Sequence, residues 1–140
     1  MRNSILIFTT LLSFLLGTQH LQAQEFNPTK NNYLILSKNI QQLKPVLLTA
    51  TSLMREDGQD YGDFYVIICG KTVKDISDNS EFHALLEEAK LLNIKVFTCG
   101  ISLKKFNITP KQLPDNIAVT ENGILYGFQL IKKGFLSLTI

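Results

Sequence analysis

The chain has 140 residues, with 14 basic against 12 acidic side chains, two cysteines and two histidines. Its net charge of +2 gives no electrostatic case for nucleic acid or an anionic membrane surface as partner, and its length suits one domain with one core. No Gly-x-Gly-x-x-Gly, Walker or zinc-type spacing occurs, so the sequence indicates no nucleotide, other cofactor or metal.

Residues 1–23 read as a secretory signal. Arg2 supplies the positive charge, Ile5 to Leu16 is an apolar run, and a more polar stretch leads to a cleavage point after Ala23. The run falls short of the roughly 20 apolar residues of a membrane-spanning helix. No cysteine follows it to carry a lipid. The expectation is a periplasmic or secreted protein with no stable membrane anchor. Residues 24–32 are polar, contain Pro28 and lack a period, as in a flexible lead-in, and the folded domain is expected over 33–140.

Residues 33–36 form a short continuous apolar run suited to a buried strand. Ile40, Leu43, Leu47, Ala50 and Met54 then recur at helical spacing, with Pro45 in the first turn, where its missing N–H costs nothing. A turn-rich link over 57–62 leads to a second strand, 64–69. Residues 71–80 read as a loop. Phe82, Leu85, Leu86 and Ala89 mark a second helix, with Ser80 as its N-cap and Asn93 as its stop. A third strand covers 94–99, and a turn or short helix follows at 102–106. Thr109-Pro110 opens another short helix that Pro114 ends, ahead of a fourth strand at 117–119. Asn122-Gly123 begins the last helix, with Ile124, Phe128 and Ile131 on one face, Lys132 and Lys133 at its negative end and Gly134 just beyond. Residues 135–140 close the chain as a fifth strand. Strands alternating with helices predict an α/β fold, a three-layer α/β/α sandwich around a five-stranded, mostly parallel sheet.

The second and third strands end alike, in Cys69-Gly70 and Cys99-Gly100. Parallel strands bring their carboxyl ends to one edge of a sheet, where open α/β proteins place their sites. Both cysteines are therefore expected on one rim. Cys99 is the stronger candidate, because a helix beginning just after it would aim backbone N–H groups at its sulfur and lower its pKa. Cys69 is the second candidate. Filling a strand end as a small buried residue is the competing role for each, and a disulfide between them is the default outside the cytoplasm. Such a bridge can form only if no strand intervenes. Lys71 and Lys74 are placed to stabilise an anion on the rim, although exposed loop lysines are usually solvated charge. Glu121 falls on the same rim. His83 lies off the apolar stripe of its helix and reads as a surface residue. Gly123 and Gly127 are spaced for close helix packing.

Over residues 33–140 the chain resembles the DsrE/DsrF-like sulfur-relay family. The likeness rests on the second strand and its turn, Tyr65 to Val73. It continues through the helix, strand and cysteine of Leu85 to Gly100 and the short helix from Ile108-Thr109-Pro110 to Leu113. It ends on the closing helix and Gly-aromatic junction, from Glu121-Asn122-Gly123 to Gly134-Phe135. The resemblance implies adjacent second and third strands, hence neighbouring Cys69 and Cys99, and assembly as a homotrimer or homohexamer. It also implies that Cys99 carries sulfur as a persulfide, received from or passed to a partner protein or a small sulfur compound. Two features depart from the family: the export-type leader, and Cys69-Gly70 where many relatives have His-Gly. The resulting expectation is an exported carrier that binds or relays sulfane sulfur on Cys99, at most a sulfurtransferase-like activity, with Cys69 as resolving partner. The rival is a non-catalytic oligomeric binding or scaffold module with structural cysteines.

Overall fold

The structure is a computed structural model that describes residues 26–140. The leader, its cleavage point after Ala23, His20 and the first two residues of the lead-in lie outside the described residues. Five strands, β1 (Asn31–Ser37), β2 (Tyr61–Ile68), β3 (Lys95–Cys99), β4 (Ala118–Thr120) and β5 (Leu136–Thr139), form one sheet in the order β4-β3-β2-β1-β5. Every pairing is parallel. The helices are α1 (Leu43–Asp57), α2 (Ser80–Leu91), α3 (Gly100–Lys105) and α4 (Gly123–Lys132).

The order explains the layering. From β1 to β4 the chain steps across the sheet in one direction, and α1 and α2 cover one face. A right-handed crossover in the opposite direction must use the other face, so α4 crosses there to deliver β5 beside β1. Phe64, Val66 and Ile68 point into the α1/α2 layer, where Leu47, Ala50, Phe82 and Leu86 meet them. Tyr65 and Ile67 point the other way, into a smaller core with Leu34, Leu130, Phe135 and both cysteines. The result is the expected α/β/α sandwich.

Local differences from the sequence reading have local causes. The N-cap of α2 is Asn79, not Ser80; the Asn79 side chain accepts the Phe82 N–H at 2.8 Å. The segment read as a plain loop contains a 3-10 turn, Lys71–Asp75, because Thr72 and Val73 have core positions to fill. β1 starts at Asn31 rather than 33: Asn32 is buried and its side-chain Oδ1 accepts the Asp63 N–H at 2.8 Å. In the lead-in, Phe26 packs against Phe135 with ring centroids 5.6 Å apart. The short helix after Thr109-Pro110 is a single 3-10 turn, Pro110–Gln112. Asn93 at φ 56° and Gly134 at φ 97° both end their helices left-handed.

The last helix packs by its small residues. Ile124, Phe128 and Ile131 do share a face, but that face points to solvent, with Phe128 60% exposed. The face on the sheet is Gly123, Gly127 and Leu130. The two glycines let the helix backbone lie directly on β1 and β2, with Leu34 and Ile67 beneath Gly127. Among the described residues no helix is long and apolar enough to cross a membrane.

Candidate functional site

β2 and β3 are neighbours, in the register Val66↔Val96, Ile67↔Phe97, Ile68↔Thr98. One further step sets Cys69 opposite Cys99, and both side chains belong to the core under α4. They are free thiols, both buried. Cys99 ends β3 and also stands at the N-cap position of α3.

Three elements converge on the Cys99 sulfur. The Gly123 N–H, at the amino end of α4, donates to it at 3.3 Å. Ser102 of α3 and Cys69, just beyond β2, also favour its thiolate. Ser102 is itself fixed, since its Oγ accepts the Gly70 N–H at 2.8 Å. Burial pushes the Cys99 thiol up, but these donors outweigh it and hold its pKa below the ordinary thiol value. Cys69 goes the other way. Burial first, then the charge and hydrogen bond of Cys99, push it up to about 12, with Lys38 opposing. The arrangement therefore favours the thiolate on Cys99 and the neutral thiol on Cys69.

α4 lies in place over the thiols because Asn122 caps it, accepting the Ile124 and Leu125 N–H groups at 3.1 Å. Position 123 has no room for a side chain. A Cβ there would sit 2.7 Å from Cys69 Sγ and 3.0 Å from Cys99 Cβ.

A cleft opens beside this cluster. Gly100, Ile101 and Lys104 of α3 line one side; Glu121, Asn122 and Tyr126 line the other. The chain leaves β3 toward the α1/α2 face and leaves β4 toward the α4 face, so this crevice is the topological switch point of the sheet, where open α/β folds bind ligands. Its volume is about 600 Å³. It reaches Gly100 and Asn122, the residues next in sequence to Cys99 and Gly123.

The other sequence candidates divide. Glu121 is on the rim, as expected; its carbonyl accepts the Ile101 N–H at 3.1 Å. Lys71 and Lys74 are exposed on their 3-10 turn, and the lysine whose charge acts on Cys69 is Lys38. His83 is tied to the Ile76 carbonyl at 2.6 Å and lines a groove with Lys95 and Asn116, at the opposite end of the strands. It has no place in proton transfer at the cysteines. Ser102 and Lys38 escaped the sequence reading. Ser102 was accessible to it, as the residue three after an N-cap at Cys99, whereas Lys38 reaches the site only through the sheet order. Among the described residues no group of three or more His, Cys, Asp or Glu side chains could hold a metal.

No protein-family model matches the chain, and no curated protein does. Two solved structures, both of proteins of unknown function, share its fold. MTH1491 from Methanobacterium thermoautotrophicum superposes with a TM-score of 0.67 at 12% identity, over 79% of this chain and 99% of its own. BT1422 from Bacteroides thetaiotaomicron superposes with a TM-score of 0.61 at 18% identity, over 79% of this chain and 95% of its own. At these identities the likeness is one of fold alone.

Proposed function

We propose that this is an exported sulfur carrier of the DsrE-like kind, which accepts sulfane sulfur on Cys99 as a persulfide and passes it to an acceptor thiol. The observation that carries the reading is the Cys99 sulfur itself, held by the Gly123 N–H at 3.3 Å and faced by a protonated Cys69. Such a thiolate can attack a polysulfide or a donor protein's persulfide, and its leaving group departs as the shortened chain or the donor thiolate. The same donors then stabilise the bound persulfide anion. Donor and acceptor would approach through the switch-point cleft.

The apolar face of α4 fits a second copy of the chain. Ile124, Phe128 and Ile131, with Leu138 of the edge strand β5, flank one groove and are 43–66% exposed. Together they present roughly 400 Å² of apolar side chain, within the range of functional patches and about half of what one partner of a standard interface buries. β5 also exposes an unpaired strand edge, which a partner would cover. A homotrimer or homohexamer accounts for both.

One observation favours the rival scaffold reading: Cys69 is 7% and Cys99 3% exposed, as structural cysteines usually are. Intact mass spectrometry after exposure to polysulfide separates the two. With Cys69→Ser, which leaves no second thiol to expel it, a carrier gains sulfur at Cys99 and loses that gain when Cys99→Ser is added. A scaffold gains none.

A further inference from the structure

We infer that Cys69 gives the carrier an internal exit, attacking the loaded Cys99 and expelling the carried atom as hydrogen sulfide. The inference rests on the persulfide reading. Its own support is the placement of the second sulfur. The β2–β3 register sets Cys69 directly opposite Cys99, and neighbouring strands ~4.8 Å apart fall within the Cα separations a disulfide spans. Both side chains lie on the same face of the sheet, in the same small core. Both residues meet beneath position 123, where a Cβ would lie 2.7 Å from Cys69 Sγ and 3.0 Å from Cys99 Cβ, so Cys69 adjoins the inner sulfur of a persulfide, the one attached to Cys99 Cβ. Because position 123 carries no side chain, nothing separates the sulfurs at the foot of α4.

The step balances. Starting from Cys99–S–SH and Cys69–SH, the Cys69 sulfur bonds to Cys99 Sγ and the bond to the outer sulfur breaks. The outer sulfur leaves with its own proton and the proton of Cys69, as H₂S. The sulfane sulfur is reduced by two electrons, and the two cysteines are oxidised to a disulfide. Resetting the pair requires an external dithiol, such as a dithiol protein of the same compartment, which is oxidised in turn. The resting pair does not react alone, since it holds no sulfur at the oxidised level.

The experiment is anaerobic loading of the reduced protein with inorganic polysulfide. Desalting, intact mass, alkylation mapping and an assay of sulfide released afterwards follow, for wild type, Cys69→Ser and Cys69→Ala. The expected result is a wild-type chain two hydrogens lighter than the dithiol, with one equivalent of sulfide released per chain. Both variants load more slowly, keep one extra sulfur on Cys99 and release none. Wild type that keeps the extra sulfur, with Cys69 still open to alkylation, overturns the exit and leaves the carrier standing. Failure of every chain to gain sulfur or release sulfide overturns the carrier, and the exit with it. The wild-type readings decide between these outcomes even if both variants fail to fold.

Discussion

Two glycines of α4 invite the same substitution with opposite results. Neither has a left-handed backbone, so alanine is conformationally acceptable at both, and only the space differs. At Gly127 the new Cβ would meet Leu34 Cδ2 at 3.8 Å and Ile67 Cδ1 at 4.0 Å, ordinary van der Waals contacts. Gly127→Ala should therefore gain the helix preference of alanine over glycine, about 0.5–1 kcal/mol. At Gly123 the Cβ would lie 2.7 Å from Cys69 Sγ, 2.9 Å from Ile67 Cγ2 and 3.0 Å from Cys99 Cβ. These groups belong to a buried cluster and cannot all move aside. Over-packing of this kind costs about 1–3 kcal/mol, and the gain in propensity is smaller at the first helical residue than in the interior. The net for Gly123→Ala is about 1–2 kcal/mol of destabilisation.

At about 4–8 °C per kcal/mol for a domain near this size, Tm should fall by roughly 5–15 °C in Gly123→Ala and rise by roughly 3–6 °C in Gly127→Ala. Differential scanning calorimetry on the reduced protein reads both. A Gly123→Ala protein as stable as wild type, or both variants shifting the same way, would refute the placement of the thiols beneath the foot of α4.

Further outcomes follow from the same geometry. The alkylation of Cys99 should have its pH midpoint below the ordinary thiol value of 9.0, because a lowered pKa keeps the thiolate to lower pH; Ser102→Ala removes a hydroxyl donor and should move that midpoint up, as a pH–rate profile with iodoacetamide would record. Cys69, pushed up to about 12, holds at least ~10³-fold less thiolate at neutral pH than Cys99, which lies below 9.0. Allowing for the greater intrinsic reactivity of the more basic sulfur, Cys99 should still alkylate at least about 30-fold faster, measured by peptide mapping. Asn122→Ala removes the cap of α4 and should cost about 0.5–2 kcal/mol in urea unfolding. On the proposed assembly through α4, Phe128→Asp should scatter light as a monomer where wild type does not, while changing the stability of the isolated chain by no more than about 0.5 kcal/mol, since the ring is exposed.

Much of the fold was legible because local signals agreed with one another. The continuous apolar strands, the proline in the first turn of α1, and Asn93 and Gly134 at helix ends each encode a local conformation that tertiary packing then kept. Asn79 was overlooked because Ser80 beside it is also a good cap, and geometry chose between them. In the last helix the apolar pattern alone does not say which face is buried. Its largest apolar side chains mark a stripe, and a stripe ordinarily faces the core. Here two glycines face the core instead, since a backbone laid directly on the sheet excludes water without large side chains. The displaced apolar residues are then free to serve an interface.

The site shows the same division between local and non-local information. Two Cys-Gly strand ends were enough to put both thiols on one rim, since that follows from parallel strands alone. Whether they touch depends on sheet order, which residue spacing does not encode. The observed order does more than bring them together. The chain reverses its direction across the sheet after β4, and that reversal sends α3 and α4 to opposite faces. Both helices consequently start within reach of the end of β3, so the Gly123 amide donates to the Cys99 sulfur from α4 while Ser102 of α3 also favours its thiolate. Cys69, one strand further in, is followed by a 3-10 turn whose Gly70 amide is spent on Ser102 Oγ. It has no helix aimed at it and remains protonated. The difference between the two cysteines is thus set by where the crossover reverses, and an identical Cys-Gly pair on any strand away from that point would lack the second helix.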